Sequence, residues 1–420
     1  MKKIELIILL ILFLYGAGYS QNILTLEQSK EFALKNNIKI KNSNLEIEAA
    51  HQTKNAAFTK YFPSISAGAL ALKAKDNIIE IGSMGILNRL DTEFLTVVQP
   101  VFAGGRIQTG NKLASLGEEV NTNKSKLTRD EVLLKTEEQY WQIISLDEKL
   151  KTINAYEELL GNLAQQVDDA YNSGLVMKND VLKVKLKQSE VLLNKSKLDN
   201  GKQLVLMAFC QYIGISSDSM ITLQDELLID TDPQSLAVDH NEALRTRAEY
   251  HLLQQSVKAE KLFTRQKLGE YLPQVGIGFS GFRYKIDENK GINNGMVFGT
   301  IQVPISNWWE ASHTLQERKI KEQIADNNLN ETADLLLLQM KKAWQDLCDA
   351  YKQVSLSDES RIQAEENLKV NRDSYKNGLV NLSDLLEAQA TLQQAKDQLI
   401  DAKTNYKIKQ STYLSVTGRK

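Results

Sequence analysis

Two cysteines in 420 residues, Cys210 and Cys348, exclude a disulfide framework. Five prolines are far too few for a chain of this length if its helices were short, so long uninterrupted helices are expected. Neither sign of charge dominates: 51 Lys and Arg oppose 53 Asp and Glu, which leaves no basic footprint for nucleic acid. Histidine is scarce as well. His51, His240, His251 and His313 are dispersed, and the chain has no Gly-rich phosphate loop, metal-ligand cluster or nucleophile elbow. Those absences argue against an enzyme and imply no cofactor and no metal. Beyond residue 20 no apolar run approaches the roughly 20 residues of a membrane helix. If the chain crosses a membrane, it must do so as part of a closed β-barrel.

What is present begins with an export signal over 1–20. Lys2 and Lys3 precede an apolar run from Ile4 to Leu14, and small residues follow through Gly18 and Ser20. Cleavage is expected before Gln21, and the absence of a cysteine at the cut excludes a lipoprotein. The remaining chain of about 400 residues is long enough for several ordinary domains.

The rest of the chain is written twice. Tyr171-Asn172-Ser173-Gly174-Leu175-Val176 with Asp180-Val181-Leu182 returns as Tyr375-Lys376-Asn377-Gly378-Leu379-Val380 with Asp384-Leu385-Leu386, at an offset of 204. The same offset carries Gly214 to Gly418. Ala33-Leu34 returns as Ala243-Leu244, and Tyr61-Phe62-Pro63 as Tyr271-Leu272-Pro273, at an offset of 210. A period near 200 is too long for a solenoid repeat and marks a duplicated structural unit.

Each copy opens with a helical stretch, Leu26 to Phe62 and Asn241 to Leu272, that ends at its proline. Alternation of large and small residues then replaces the helical period, most clearly over Gln274–Gly281. Polar, Gly- and Asn-rich turns such as Asp287 to Gly295 separate the strands. The boundaries read as a first repeat over 21–214, with strands about 64–76 and 92–102 and tunnel helices about 103–172 and 177–214. An inter-repeat linker spans 215–240. The second repeat spans 241–418, with strands about 274–285 and 295–305 and helices about 307–376 and 381–417. Strands of about ten residues suit a tilted membrane crossing.

The helices carry coiled-coil spacing. Leu385, Leu392, Leu399 and Tyr406 form one seven-spaced row beside Ala388, Ala395 and Ala402. Val184, Val191 and Leu198 match the first row, while Gln188 and Lys195 interrupt its companion. Most of these residues are core rather than ligands. Four strands cannot close a barrel and an open edge in lipid leaves backbone unpaired, so subunits must pool strands. A trimer supplies twelve, enough for a conduit; a dimer supplies eight, whose interior side chains would fill.

With these residues in hand, the chain resembles the TolC-like outer-membrane efflux and secretion family from Leu26 to Gly418. The resemblance rests on the duplicated Tyr-x-x-Gly-x-x-x-x-x-Asp turn, the Tyr-Phe-Pro and Tyr-Leu-Pro helix ends, and Gln99-Pro100-Val101-Phe102-Ala103-Gly104-Gly105-Arg106. It implies a mainly α chain with a transmembrane β part: a homotrimer whose 12-stranded barrel in outer-membrane lipid continues as an α-helical tunnel into the periplasm. It further implies an exit duct for a tripartite efflux pump or type I secretion system, fed by a periplasmic adaptor and an inner-membrane RND (resistance-nodulation-division) or ABC transporter. The hairpin turns at Gly174 and Gly378, with Tyr171, become the periplasmic entrance. By position, Asp384 and Glu387 fall where the family lines its pore with acids, and Asp180 and Tyr375 where it holds the entrance closed. That closure also uses an Arg five residues after the Tyr, where this chain has Val380. Asp180 reads equally as a helix N-cap, while for Asp384 the nearby Glu387 favours the pore. A rival reading is a soluble periplasmic coiled-coil adaptor or structural protein, which leaves the strand pairs unexplained.

Overall fold

The computed structural model describes residues 22–76, 79–81, 84–87, 89–216, 221–286 and 290–419. The expected export signal lies outside them, as does part of the polar turn beginning at Asp287. The chain divides into two compact units. One gathers residues up to Asn42, Leu127–Arg247 and Leu335 onward; the other gathers Ser43–Lys126 and Ala248–Asp334.

The second unit holds the sheet. Strands β2 (Ser64–Lys73), β5 (Arg89–Ala103), β7 (Gln274–Ile286) and β8 (Ile292–Gln302) pair antiparallel in the order β2-β5-β7-β8. The two sequence hairpins are thus joined through β5 and β7 into one sheet, leaving β2 and β8 as its edges. Short strands β3 (Ile79–Ile81) and β4 (Met84–Leu87) pair with each other. The prolines mark where elements change. Pro63 and Pro273 precede β2 and β7, and Pro304 follows β8. Pro100, which cannot donate to a ladder, sits where β5 shifts register against β7 between Pro100 and Phe102. The turn after β5 is tied down at Gly104. Its φ is +63°, and a Cβ there would meet the Gly269 carbonyl oxygen at 2.1 Å.

The register sorts side chains into two faces. Ile65, Val97, Phe279 and Val297 stand opposite one another on one face, and Gly68, Phe94, Phe282 and Asn294 on the other. Neither face is covered by another layer among the described residues, and large apolar side chains stay exposed, Val297 by 83% and Ile301 by 75%.

The first unit is built from helices and one small sheet. β1 (Asn22–Leu24) runs parallel to β6 (Ile221–Leu223), so the stretch expected to be linker carries a strand. Tyr140 fixes this region: its hydroxyl donates to the Asp225 carboxylate at 2.6 Å, and burial pushes the phenol above its ordinary range. Thr25 caps α1 (Leu26–Asn36) through a reciprocal capping box with Gln28. The opening stretch is not one helix. α1 stops before Asn37, whose ψ is 133°, and α2 (Ile38–Phe58) follows. The second copy breaks at the matching residue: α5 (His240–Thr246) stops before Arg247, whose ψ is 137°, and α6 (Ala248–Glu270) follows. The break therefore keeps the 210 offset of the sequence.

Two long helices and two return helices complete the chain. These are α3 (Arg106–Asn172), α4 (Lys178–Ile213), α7 (Trp308–Lys376) and α8 (Leu382–Val416). No proline interrupts any of them, and α7 and α8 also lack glycine. A helix of 67 residues, as α3 is, runs on the order of 100 Å if straight. The rows foreseen on α8 are core: Leu385, Ala388, Ala395, Leu399, Ala402 and Tyr406 are buried, and Leu392 is partly buried against the same cluster. The interruption at Lys195 has a partner on α3, Glu157, at 2.7 Å.

Candidate functional site at the helix-hairpin tips

Both hairpins turn by the same backbone device. Gly174 and Gly378 adopt φ of +75° and +69°, a region costly for residues with a Cβ. Each glycine N–H donates to the tyrosine carbonyl three residues back, Gly174 to Tyr171 and Gly378 to Tyr375. The next N–H of each closes a wider loop, Leu175 to Ala170 and Leu379 to Ser374. The tyrosines thus serve the turn through their backbones. The leucines that follow point outward, Leu175 79% and Leu379 76% exposed.

Beyond the turns the copies differ. Asn381 caps α8, accepting from the Asp384 N–H at 3.1 Å, and its own N–H donates to Asp384 Oδ2 at 3.2 Å. Asp384 is therefore half of a capping box, the local role weighed against pore lining. The residue capping α4 is Met177, which offers no capping side chain, so Asp180 sits in the first turn without that reciprocal bond. Its carboxylate is near Lys183 Nζ at 3.5 Å instead. Glu387 is exposed one turn along α8 from Asp384.

Lys183 also reaches across to the other hairpin, donating from Nζ to Ser383 Oγ at 2.9 Å. This contact links the starts of α4 and α8. Position 380 is Val, and the cation beside Ser383 comes from the first hairpin, as Lys183. Tyr375 lies half-buried beside these groups. Burial, and then the negative charge of Asp180, push its phenol above the ordinary range. Asp180, Lys183, Tyr375 and Ser383 are thus brought together. Tyr171 belongs to its own turn.

Behind the tips, Val181 and Val184 of α4 pack with Leu382, Leu385 and Leu386 of α8 and with Leu160 and Val167 of α3. That apolar cluster gives the polar tip groups a fixed base. Farther along, a polar seam joins α3 to α8: Thr152 Oγ1 donates to Asp397 Oδ1 at 3.3 Å and Gln393 Nε2 to the same oxygen at 3.1 Å. Burial holds the Asp397 carboxyl above the usual range, and Lys149 nearby pulls it down by less.

Comparison with known proteins agrees with this architecture. Residues 242–419 match the outer membrane efflux protein family. The chain is 23% identical to the outer membrane protein TolC of Escherichia coli, over 100% of this chain and 87% of TolC. Two solved channels share its fold. The CmeC outer membrane channel of Campylobacter jejuni superposes with a TM-score of 0.81 at 15% identity, over 94% of this chain and 85% of CmeC. The outer membrane protein VceC of Vibrio cholerae gives 0.80 at 15% identity, over 94% and 96% of the two chains.

Proposed function

We infer that this chain, whose second repeat carries the outer membrane efflux protein domain and whose fold is that of TolC-like outer-membrane channels, is the outer-membrane exit duct of an export system. One observation carries the reading: a four-stranded antiparallel sheet with two open edges and large exposed apolar side chains. In lipid, the unpaired backbone of the 11-residue edge β8 alone would cost on the order of tens of kcal/mol. Pairing β8 of one subunit with β2 of the next removes that cost, and three copies supply twelve strands.

The tips then form the periplasmic entrance. Asp384 and Glu387, repeated threefold, give acidic rings that favour cations. Asp384 serves its capping box through one carboxylate oxygen, Oδ2. Lys183 ties the two hairpins of each subunit in the closed state, held by Ser383 and Asp180. A periplasmic adaptor and an inner-membrane RND or ABC transporter would supply energy and cargo, in efflux or in type I secretion.

Fractionation and electrophysiology test the reading together. The protein should be recovered in outer membranes, and the purified protein should conduct ions in planar bilayers. Recovery only from the soluble periplasm, with no conductance, would support the coiled-coil adaptor or structural protein instead.

A further inference from the structure

The two faces of the sheet exchange character along the strands. On the face of Ile65, Val97, Phe279 and Val297, the rows beside the helices are apolar apart from Gln99, whose amide donates to the Tyr61 carbonyl, and the rows beside the hairpin ends are charged. There Glu93 stands opposite Arg283 and Asp91 opposite Lys285, and Arg89 pairs with Asp91 at 2.9 Å. The other face reverses this order. Beside the helices it mixes Ser64, Ser66, Thr96, Ser280 and Thr300 with Val98, Met296 and Phe298; beside the hairpin ends it carries mostly large apolar residues, with Thr92 and Asn294 among them. No Asp, Glu, Lys or Arg falls on it anywhere in the paired rows of the four strands.

Which face meets lipid follows from where the bilayer starts. Exposed aromatics cluster where strands meet helices: Phe62 before β2, and Trp308 and Trp309 after β8, Trp309 being 81% exposed. Aromatic side chains at that position mark a membrane interface. The rows next to them therefore lie in hydrocarbon, and only the face of Ile65 and Val297 is apolar there. From Val275 to Arg283 along β7 is about 27 Å of strand, or roughly 20 Å of depth at a barrel tilt near 40°. The charges of Glu93 and Arg283 then fall at the far headgroup level, close to the height of a barrel's apolar band.

The uncharged face consequently lines the bore. Resting on the exit-duct reading, we propose that the outer half of this bore is an apolar, aromatic collar that binds and passes uncharged or amphiphilic aromatic small molecules. Leu70, Leu72, Phe94, Phe282 and Tyr284 form it in each subunit, with the uncharged Thr92 and Asn294 in the same rows and the Phe282 and Tyr284 rings stacked 6.2 Å apart. The rings plate the wall rather than plug it. A Cβ on Gly68 would lie 2.5 Å from the Phe94 ring, so that ring lies flat over the glycine of the neighbouring strand.

The test uses the full trimer in lipid vesicles and planar bilayers. In protein carrying Cys210→Ser and Cys348→Ser, a charged membrane-impermeant maleimide should label Phe94→Cys and not Phe279→Cys. Phe94→Ser with Phe282→Ser should abolish the fluorescence gain of N-phenyl-1-naphthylamine bound to the channel. Should that variant not assemble, attaching a charged methanethiosulfonate to Phe94→Cys in the folded channel makes the same measurement. Reversed labelling would overturn the collar while leaving the duct intact, as would unchanged dye binding. A protein that neither inserts nor conducts would instead overturn the duct reading itself.

Discussion

Replacing Lys183 by Met keeps the apolar stem and removes the ammonium that donates to Ser383 and faces Asp180. Both contacts are partly solvent-exposed, so each is weak. The Asp180 contact lies within α4 and does not join the hairpins, so the tie rests on the hydrogen bond to Ser383, whose exposure holds it to about 1 kcal/mol. Taking about 1 kcal/mol per subunit, three ties released together amount to about 3 kcal/mol, or on the order of a 100-fold shift toward the open entrance. Single-channel recording reads this as a higher open probability or larger mean conductance. Lys187→Met is the control, since Lys187 pairs with Glu190 on its own helix at 2.8 Å, and it should change nothing. Ser383→Ala should reproduce part of the effect and be non-additive with Lys183→Met. Well-assembled Lys183→Met trimers that gate like the parent, or strict additivity in that cycle, would refute the tie.

Three further outcomes are expected. Asp384→Ala and Glu387→Ala should each lower cation selectivity in bilayers, and unchanged reversal potentials in both would remove the acidic rings. Asp397→Asn should stabilise the helical unit at pH 7.5, read as a higher Tm by circular dichroism. Because burial raises the folded-state pKa of Asp397, the folded protein holds this proton more tightly than the unfolded chain. Stability is therefore lost as pH rises from the unfolded value through the raised folded value, and the gain from Asn should shrink near pH 4; an equal gain at both pH values contradicts the argument. Gly104→Ala, which places a Cβ at φ +63° and 2.1 Å from the Gly269 carbonyl oxygen, should cost about 2–4 kcal/mol and lower trimer yield. Normal yield and Tm would show that the turn relaxes freely.

Much of the architecture was legible because period and punctuation are local signals. The four membrane strands announce themselves by alternation after Pro63 and Pro273, and the long helices by seven-residue spacing without proline. The duplicated glycine turns carry their backbone requirement in the sequence itself. What stayed hidden depends on partners distant in the chain. The break at Asn37 shows no helix-breaking residue; its side chain is held by the Tyr212 carbonyl at 2.7 Å. Strands β1 and β6 are three residues each, too short for any period to register, and pair only across about 200 residues. At the tips, sequence spacing placed Asp180, Tyr375 and Asp384, but the 200-residue reach from Lys183 to Ser383 needs the packed hairpins. The spacing of Lys183 three residues after Asp180 was the available clue. The sheet's exchange of faces was likewise present in the alternation, yet it becomes visible only when register aligns all four strands.

The central claim is closure of the sheet by three subunits, edge to edge. Single cysteines placed along β2 and β8 in the Cys210→Ser, Cys348→Ser background, crosslinked in native outer membranes, test it most directly. A β2–β8 pair should give dimer and trimer bands on a denaturing gel and nothing larger, with the trimer fully circular and heat-resistant. A ladder that stops at two, or β2–β8 pairs that never crosslink in the membrane, would contradict it.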